Sequence, residues 1–106
     1  MEVIKSMLEE ELANSLAMKK SYERELAKLP KGSLIKKNIK GHDYYYLVVR
    51  EKGQVKFIYK GKRVSKREFE KYKHAKEYRA KYRTLLSEVK KQIKFLRSTL
   101  RGKASV

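Results

Sequence analysis

GHDYYYLVVREKGQVKFIYKG, residues 41–61, is the only stretch of this chain with period-2 patterning. Two β-rich runs, Asp43–Glu51 and Gln54–Lys60, flank Lys52-Gly53, and a Gly-containing tip between such runs specifies a β-hairpin. With Lys52-Gly53 at the tip, Glu51 faces Gln54, Val49 faces Lys56 and Leu47 faces Ile58. A second turn lies upstream at Lys40-Gly41-His42-Asp43, where Gly permits positive φ and Asp43 can bond its own backbone. Ser33–Ile39 alternates and forms the expected first strand. With Gly41-His42 as that tip, Ile39 faces Tyr44 and Ile35 faces Val48.

Alternation sorts these residues into two faces. One carries Ile35, Ile39, Tyr44, Tyr46, Val48, Val55, Phe57 and Tyr59. The other carries Lys36, Asn38, Tyr45, Leu47, Val49, Lys56, Ile58 and Lys60. The first is the more apolar and is expected to be buried. The second, basic and aromatic, is expected to face solvent. A one-residue slip in either turn would exchange them.

Outward from the sheet the pattern becomes helical. Residues 1–29 contain no Gly or Pro, and Ile4, Leu8, Leu12, Ser15, Met18, Tyr22, Leu26 and Leu29 recur at steps of three and four. Pro30 disfavours α geometry at Leu29, so this helix is expected to end near Lys28, with Gly32 turning the chain. After Gly61, Ser65-Lys66-Arg67-Glu68 has capping-box spacing and starts a second helix. Its seam is Tyr72, Ala75, Tyr82, Leu86, Val89, Ile93, Leu96 and Leu100, widened by Tyr78 and Leu85. From Tyr82 the steps alternate 4 and 3, a heptad seam. Gly102 is the expected stop, just after Arg101. The expected fold is therefore α+β and a single domain over residues 1–106: a helix (1–29), a three-stranded antiparallel meander (33–60) and a second helix (65–101), the helices pairing as an antiparallel coiled-coil-like hairpin or in a homodimer.

Composition bounds the function. Of 106 residues, 39% are charged and the formal net charge is +17. The charge is unevenly placed: residues 1–29 hold five Lys/Arg against six Asp/Glu, residues 30–64 ten against two, and residues 65–106 fourteen against four. A surface that serves only solubility mixes the signs, so this asymmetry points to a polyanion. The absence of Cys excludes disulfides and thiolate metal sites. No apolar run reaches membrane-spanning length, and Glu2, Glu9, Glu10 and Glu11 are the wrong flanks for a signal peptide, so a cytoplasmic location and no membrane partner are expected. The Lys-rich, Cys-free composition hints at a thermophilic source.

Catalytic patterns are missing. His42 and His74 are the only histidines, neither has a helical partner four residues away, and the carboxylates are scattered. The five glycines mark turns, not a phosphate loop. No enzyme activity, metal, cofactor or small-molecule substrate is expected. The informative residues are aromatic and basic. Tyr45, sharing a face with Lys36, Lys56 and Lys60, is placed to stack bases beside ammonium groups. Lys62 and Arg63 follow in the link. A second basic feature runs along the C-terminal helix: Lys76, Arg79, Arg83, Ser87, Lys90, Lys94, Arg97 and Arg101, at steps of three and four, with no Glu interleaved. The sheet set is favoured because only it adds a stacking ring.

The central segment resembles a group of short prokaryotic proteins of unassigned activity. They share a Leu-Pro-x-Gly-Ser-Leu opening, a Tyr-Tyr-Tyr-Leu-x-x-Arg strand, a Gly turn and a strand ending Tyr-x-Gly-Lys. Here these are Leu29–Leu34, Tyr44–Arg50, Gly53 and Tyr59–Lys62, with Lys60 where the group often has Ile. The resemblance covers about residues 29–62 and implies no activity. The small strands also resemble the three-stranded sheets with which some phage integrases enter DNA grooves, a likeness of fold alone. The expected function is a non-catalytic nucleic-acid-binding accessory or regulatory protein that takes DNA or RNA without sequence specificity. The alternative is a structural interaction module, a coiled-coil dimer or a subunit that meets an acidic partner.

Overall fold

A computed structural model describes residues 2–104, with side chains as far as Gly102. The fold is α+β: helix α1 (Glu2–Lys28), strands β1 (Ser33–Ile39), β2 (His42–Glu51) and β3 (Gln54–Gly61), and helix α2 (Lys66–Ala104). The three strands form one antiparallel sheet in the order β1-β2-β3. The chain divides into two compact units: residues 29–79, and α1 together with α2 from Ala80 onward.

The sheet unit is set by two tight turns. Lys40 and Gly41 have φ of 51° and 83°, and Lys52 and Gly53 have 49° and 78°. Positive φ at both central residues is the I′ pattern, whose twist matches that of the flanking strands. The first tip is therefore Lys40-Gly41, one residue earlier than the sequence suggested. Ile39 pairs with His42 and Ile35 with Tyr46, a shift of two partners that leaves each residue on its expected face. The β2–β3 register is as expected, with Leu47 opposite Ile58 and Val49 opposite Lys56. A bulge at Tyr45/Tyr46 then sets Tyr45 opposite Gly61.

Burial of the two faces is the reverse of the expectation. Leu47 and Val49 are each 7% exposed, whereas Phe57 and Tyr59 are each 54% exposed. The sequence expectation counted rings as apolar surface. Three of the four rings on the open face are Tyr, each with a hydroxyl that would need a partner if buried, while Leu and Val carry no polar atom. The start of α2 lies on the same unit. Ser65 accepts a hydrogen bond from the Glu68 N–H at 3.0 Å, as the capping spacing requires, and Lys60 Nζ meets the Glu68 carboxylate at 3.0 Å. Ala75 is buried, and Leu34 of β1 shares a concavity of about 310 Å³ with Phe69 and Tyr72. Arg79 donates to the Pro30 carbonyl at 2.8 Å, tying α2 to the chain just before β1. Gly32 fills a place where a Cβ would stand 2.9 Å from Leu47 Cδ1 and 3.0 Å from the Val48 carbonyl.

In the helical unit α1 and the C-terminal part of α2 run antiparallel. Tyr22 meets Tyr82 with ring centroids 6.0 Å apart, and Glu11 accepts from Gln92 at 3.3 Å. Val89, Ile93 and Leu96 are buried, and Tyr82, Leu86 and Leu100 are half-buried, as the heptad seam requires. On α1 the seam differs by one position. Met18 is 42% exposed and Lys19 is half-buried. Leu8, Leu12, Ser15, Lys19, Tyr22 and Leu26 then follow the same alternation of 4 and 3 as α2, and the Lys19 stem covers apolar surface. Ser15 is fully buried, and its hydroxyl has no partner among the described residues. The helix α2 passes through Gly102 to Ala104 instead of stopping after Arg101.

Two substitutions test this packing. Gly32→Ala adds a Cβ against Leu47 at φ +99° and should cost about 1–3 kcal/mol in urea denaturation. Val89→Asp with Ile93→Asp puts two charges into a seam whose members are 3% and 5% exposed. The loss should approach the whole stability of a small domain, about 5–15 kcal/mol, read as collapse of the helical circular dichroism signal.

Candidate functional site

The strand lysines of the expected site are already partnered. Lys36 Nζ lies 4.0 Å from Asp43, Lys56 Nζ lies 3.1 Å from Glu51, and Lys60 Nζ lies 3.0 Å from Glu68. The Glu68 carboxylate, by its hydrogen bond and its charge, holds the Lys60 ammonium above its ordinary range, so Lys60 stays a cation. Exposed pairs of this kind are worth about 0–1 kcal/mol, weak enough for a phosphate to displace the carboxylate. Tyr45 is half-buried and belongs to the Leu47–Val49 side. It shares that side with Lys36 and Lys56 but not with the exposed rings. Lys62 and Arg63 are exposed in the link between β3 and α2.

The opposite side of the sheet carries four aromatic rings. Tyr59 stands 5.5 Å from Tyr46 and 6.3 Å from Tyr44, centroid to centroid, with the rings tilted by 43° and 58°. Lys37, on the neighbouring β1, reaches over the same face: its Nζ lies 4.4 Å from the Phe57 centroid and 5.4 Å from that of Tyr46. Alternation puts Arg50 there too, opposite Val55, and both are exposed. The face comprises Ser33, Ile35, Lys37 and Ile39 of β1, every second residue of β2 from His42 to Arg50, and Val55, Phe57 and Tyr59 of β3, with no Asp or Glu among them. Asp43 and Glu51 both point to the other side, as does Asn38, which donates to Asp43 at 3.0 Å. Sequence reasoning grouped the rings of this face correctly and expected the face to be buried. It left out Lys37, which alternation places with the rings.

The basic line on α2 is not uniform. Arg79 is half-buried and bonded to Pro30, so its role is structural. Lys76 lines the concavity with Phe69 and Tyr72. Arg83, Lys90, Lys94 and Arg97 are exposed, and none is paired with a carboxylate among the described residues. In the helical unit Lys90, Lys94, Arg97 and Arg101 line a groove of about 280 Å³ with Ile93 and Lys19, with no acidic residue in the lining. Each of these cations is held by the backbone of a regular helix one or two turns from the next, which gives a fixed row of charge.

Residues 4–71, well over half of the chain, match the family model described as Domain of unknown function (DUF6788). The chain belongs to this family. The DUF6788 match takes in all of the aromatic face and stops at Lys71, before the row of cations on α2. No curated protein and no solved structure matches the chain. No helix among the described residues is long and apolar enough to cross a membrane.

No group of three His, Cys, Asp or Glu among the described residues is arranged to hold a metal ion. His74 lies 3.6 Å from Glu70 on an exposed turn of α2, and His42 is exposed at the start of β2. Replacing either by Ala should leave ligand binding within about threefold, under 1 kcal/mol. Elemental analysis of the purified protein should show no stoichiometric zinc that disappears with the substitution.

Proposed function

We propose that this protein is a non-catalytic nucleic-acid-binding accessory or regulatory protein that holds DNA or RNA through the phosphates, without reading sequence. The observation that carries this reading is the row of exposed cations with no carboxylate partner, Arg83, Lys90, Lys94 and Arg97, on a chain of net charge +17. Successive cations on one helix face repel by a few tenths of a kcal/mol per pair, and no carboxylate among the described residues pairs with them to relieve that repulsion. A polyanion does. The exposed link residues Lys62 and Arg63 extend the cationic surface of the sheet unit, which has sixteen Lys/Arg against five Asp/Glu over residues 29–79.

A second reading, an interaction module, draws on apolar surface left open on the helices. Val3 is 72%, Met7 64% and Phe95 66% exposed, and Leu12 and Leu100 line a groove of about 380 Å³. A coiled-coil homodimer is the natural way to cover them. Sedimentation of the purified chain over a range of concentrations separates this reading from a monomeric binder.

Fluorescence anisotropy of a labelled 20-nucleotide DNA or RNA, titrated at several salt concentrations, tests the main reading. The logarithm of the association constant should fall linearly with that of salt, by roughly 0.7–0.9 per phosphate contact. Lys90→Glu with Lys94→Glu should weaken binding to every sequence alike and flatten the slope by about two. Failure of any polyanion to bind more tightly than about 10⁻⁴ M at physiological salt would turn the assignment to the interaction module.

A further inference from the structure

We propose that the open face of the sheet, Tyr44, Tyr46, Phe57 and Tyr59 with Lys37 and Arg50, is a stacking platform that takes the unstacked bases of single-stranded nucleic acid. The inference rests on the nucleic-acid reading above and adds a ligand class, single strand over duplex, and a second contact surface.

A sheet face this exposed and this aromatic is unusual in a small water-soluble fold, since rings are the side chains whose burial contributes most. Phe57 and Tyr59, adjacent on one side of β3, keep more than half of their surface in water, and Tyr44 and Tyr46 beside them on β2 are half-buried. The tilts of 43° and 58° mean that the rings do not stack on one another, so their flat faces remain available. The spacing along and across strands, roughly 5–7 Å, suits successive bases of an extended strand. Duplex DNA offers no base faces at its surface, so only an unpaired strand can use such rings.

Charge selects the same occupant. Every carboxylate of the sheet lies on the buried side or at the tips, and the open face has Lys37 and Arg50 as its charged side chains. An acidic protein could satisfy the cations but would leave four rings against carboxylates. A nucleic acid supplies phosphates for the cations and π faces for the rings in one chain. Lys37 sits on Phe57 in the free protein. An exposed cation–π contact is weaker than base–ring stacking, so a base displaces the ammonium and leaves it beside the backbone phosphate.

The test is anisotropy of a labelled oligothymidine 20-mer and of a 20-base-pair duplex, with the full chain and with Phe57→Ala, Tyr59→Ala and Lys37→Glu. Tyr59→Leu keeps apolar volume on the strand and removes only the ring, and circular dichroism confirms that each variant is folded. Each ring substitution should weaken single-strand binding by about 5- to 150-fold with the salt slope unchanged, and leave duplex binding within about twofold. Lys37→Glu should weaken single-strand binding and flatten the slope by about one. If the full chain binds the oligomer and the ring variants bind it equally well, the platform is overturned while the phosphate reading stands. If the full chain binds neither nucleic acid, both fall together. If the ring variants instead convert a dimer to a monomer, the face is an interface between copies and the proposal fails.

Discussion

Leu47 and Val49 sit two residues apart on the central strand, and which way they point determines the orientation of the whole sheet. Both faces of a three-stranded meander can be written as apolar. The choice between them rests on what burial does to polar atoms. Aliphatic side chains enter a core at a gain of about 25 cal/mol per Å² with nothing left unsatisfied. A tyrosine brings a hydroxyl that must find a partner or forfeit roughly 1–3 kcal/mol. With three tyrosines on one side and Leu34, Leu47 and Val49 on the other, the aliphatic side goes in. Gly32 then has to give way to Leu47, and α2 lies alongside Leu34 through Phe69 and Tyr72. Phe57 and Tyr59 are left facing water, with Tyr44 and Tyr46 half-buried beside them.

Much of this was legible in the residues. The end of α1, the Ser65 cap, the Lys52-Gly53 turn and the α2 seam follow from local rules, because each depends on residues within one or two turns of each other. The exchanged sheet faces were not legible in the same way. Alternation sorts residues into sides but assigns neither side to the core, and a hydropathy count that treats Tyr like Leu favours the wrong one. The α1 seam failed for a similar reason. Met18 and Lys19 both lie three or four residues from Ser15 and Tyr22, and apolarity favours Met, but matching the heptad of α2 requires Lys19.

The candidate site was half visible. Its cations were found from charge alone, since a row of Arg and Lys without Glu survives any choice of register. Its rings were found but placed under the protein. Turning the sheet over leaves four rings on the open side, Phe57 and Tyr59 exposed and Tyr44 and Tyr46 half-buried, with no carboxylate beside them, because Asp43 and Glu51 lie on the other side with Lys36 and Lys56. Alternation explains why those lysines are paired: cations and carboxylates that fall on one side neutralise one another and leave the other side without a carboxylate.

Ser15 has a consequence for how the helical unit moves. It lies fully buried at the middle of α1, with its hydroxyl unpartnered among the described residues, in a seam otherwise closed by Val89, Ile93 and Leu96. A small side chain there lets two backbones approach closely, and Ala would do so without the desolvated oxygen. The zipper therefore has a weak tooth at its centre. Amide hydrogens on either side of Ser15 should exchange through local opening at a lower free energy than those beside Ile93, so the middle of the pair is not its most protected part.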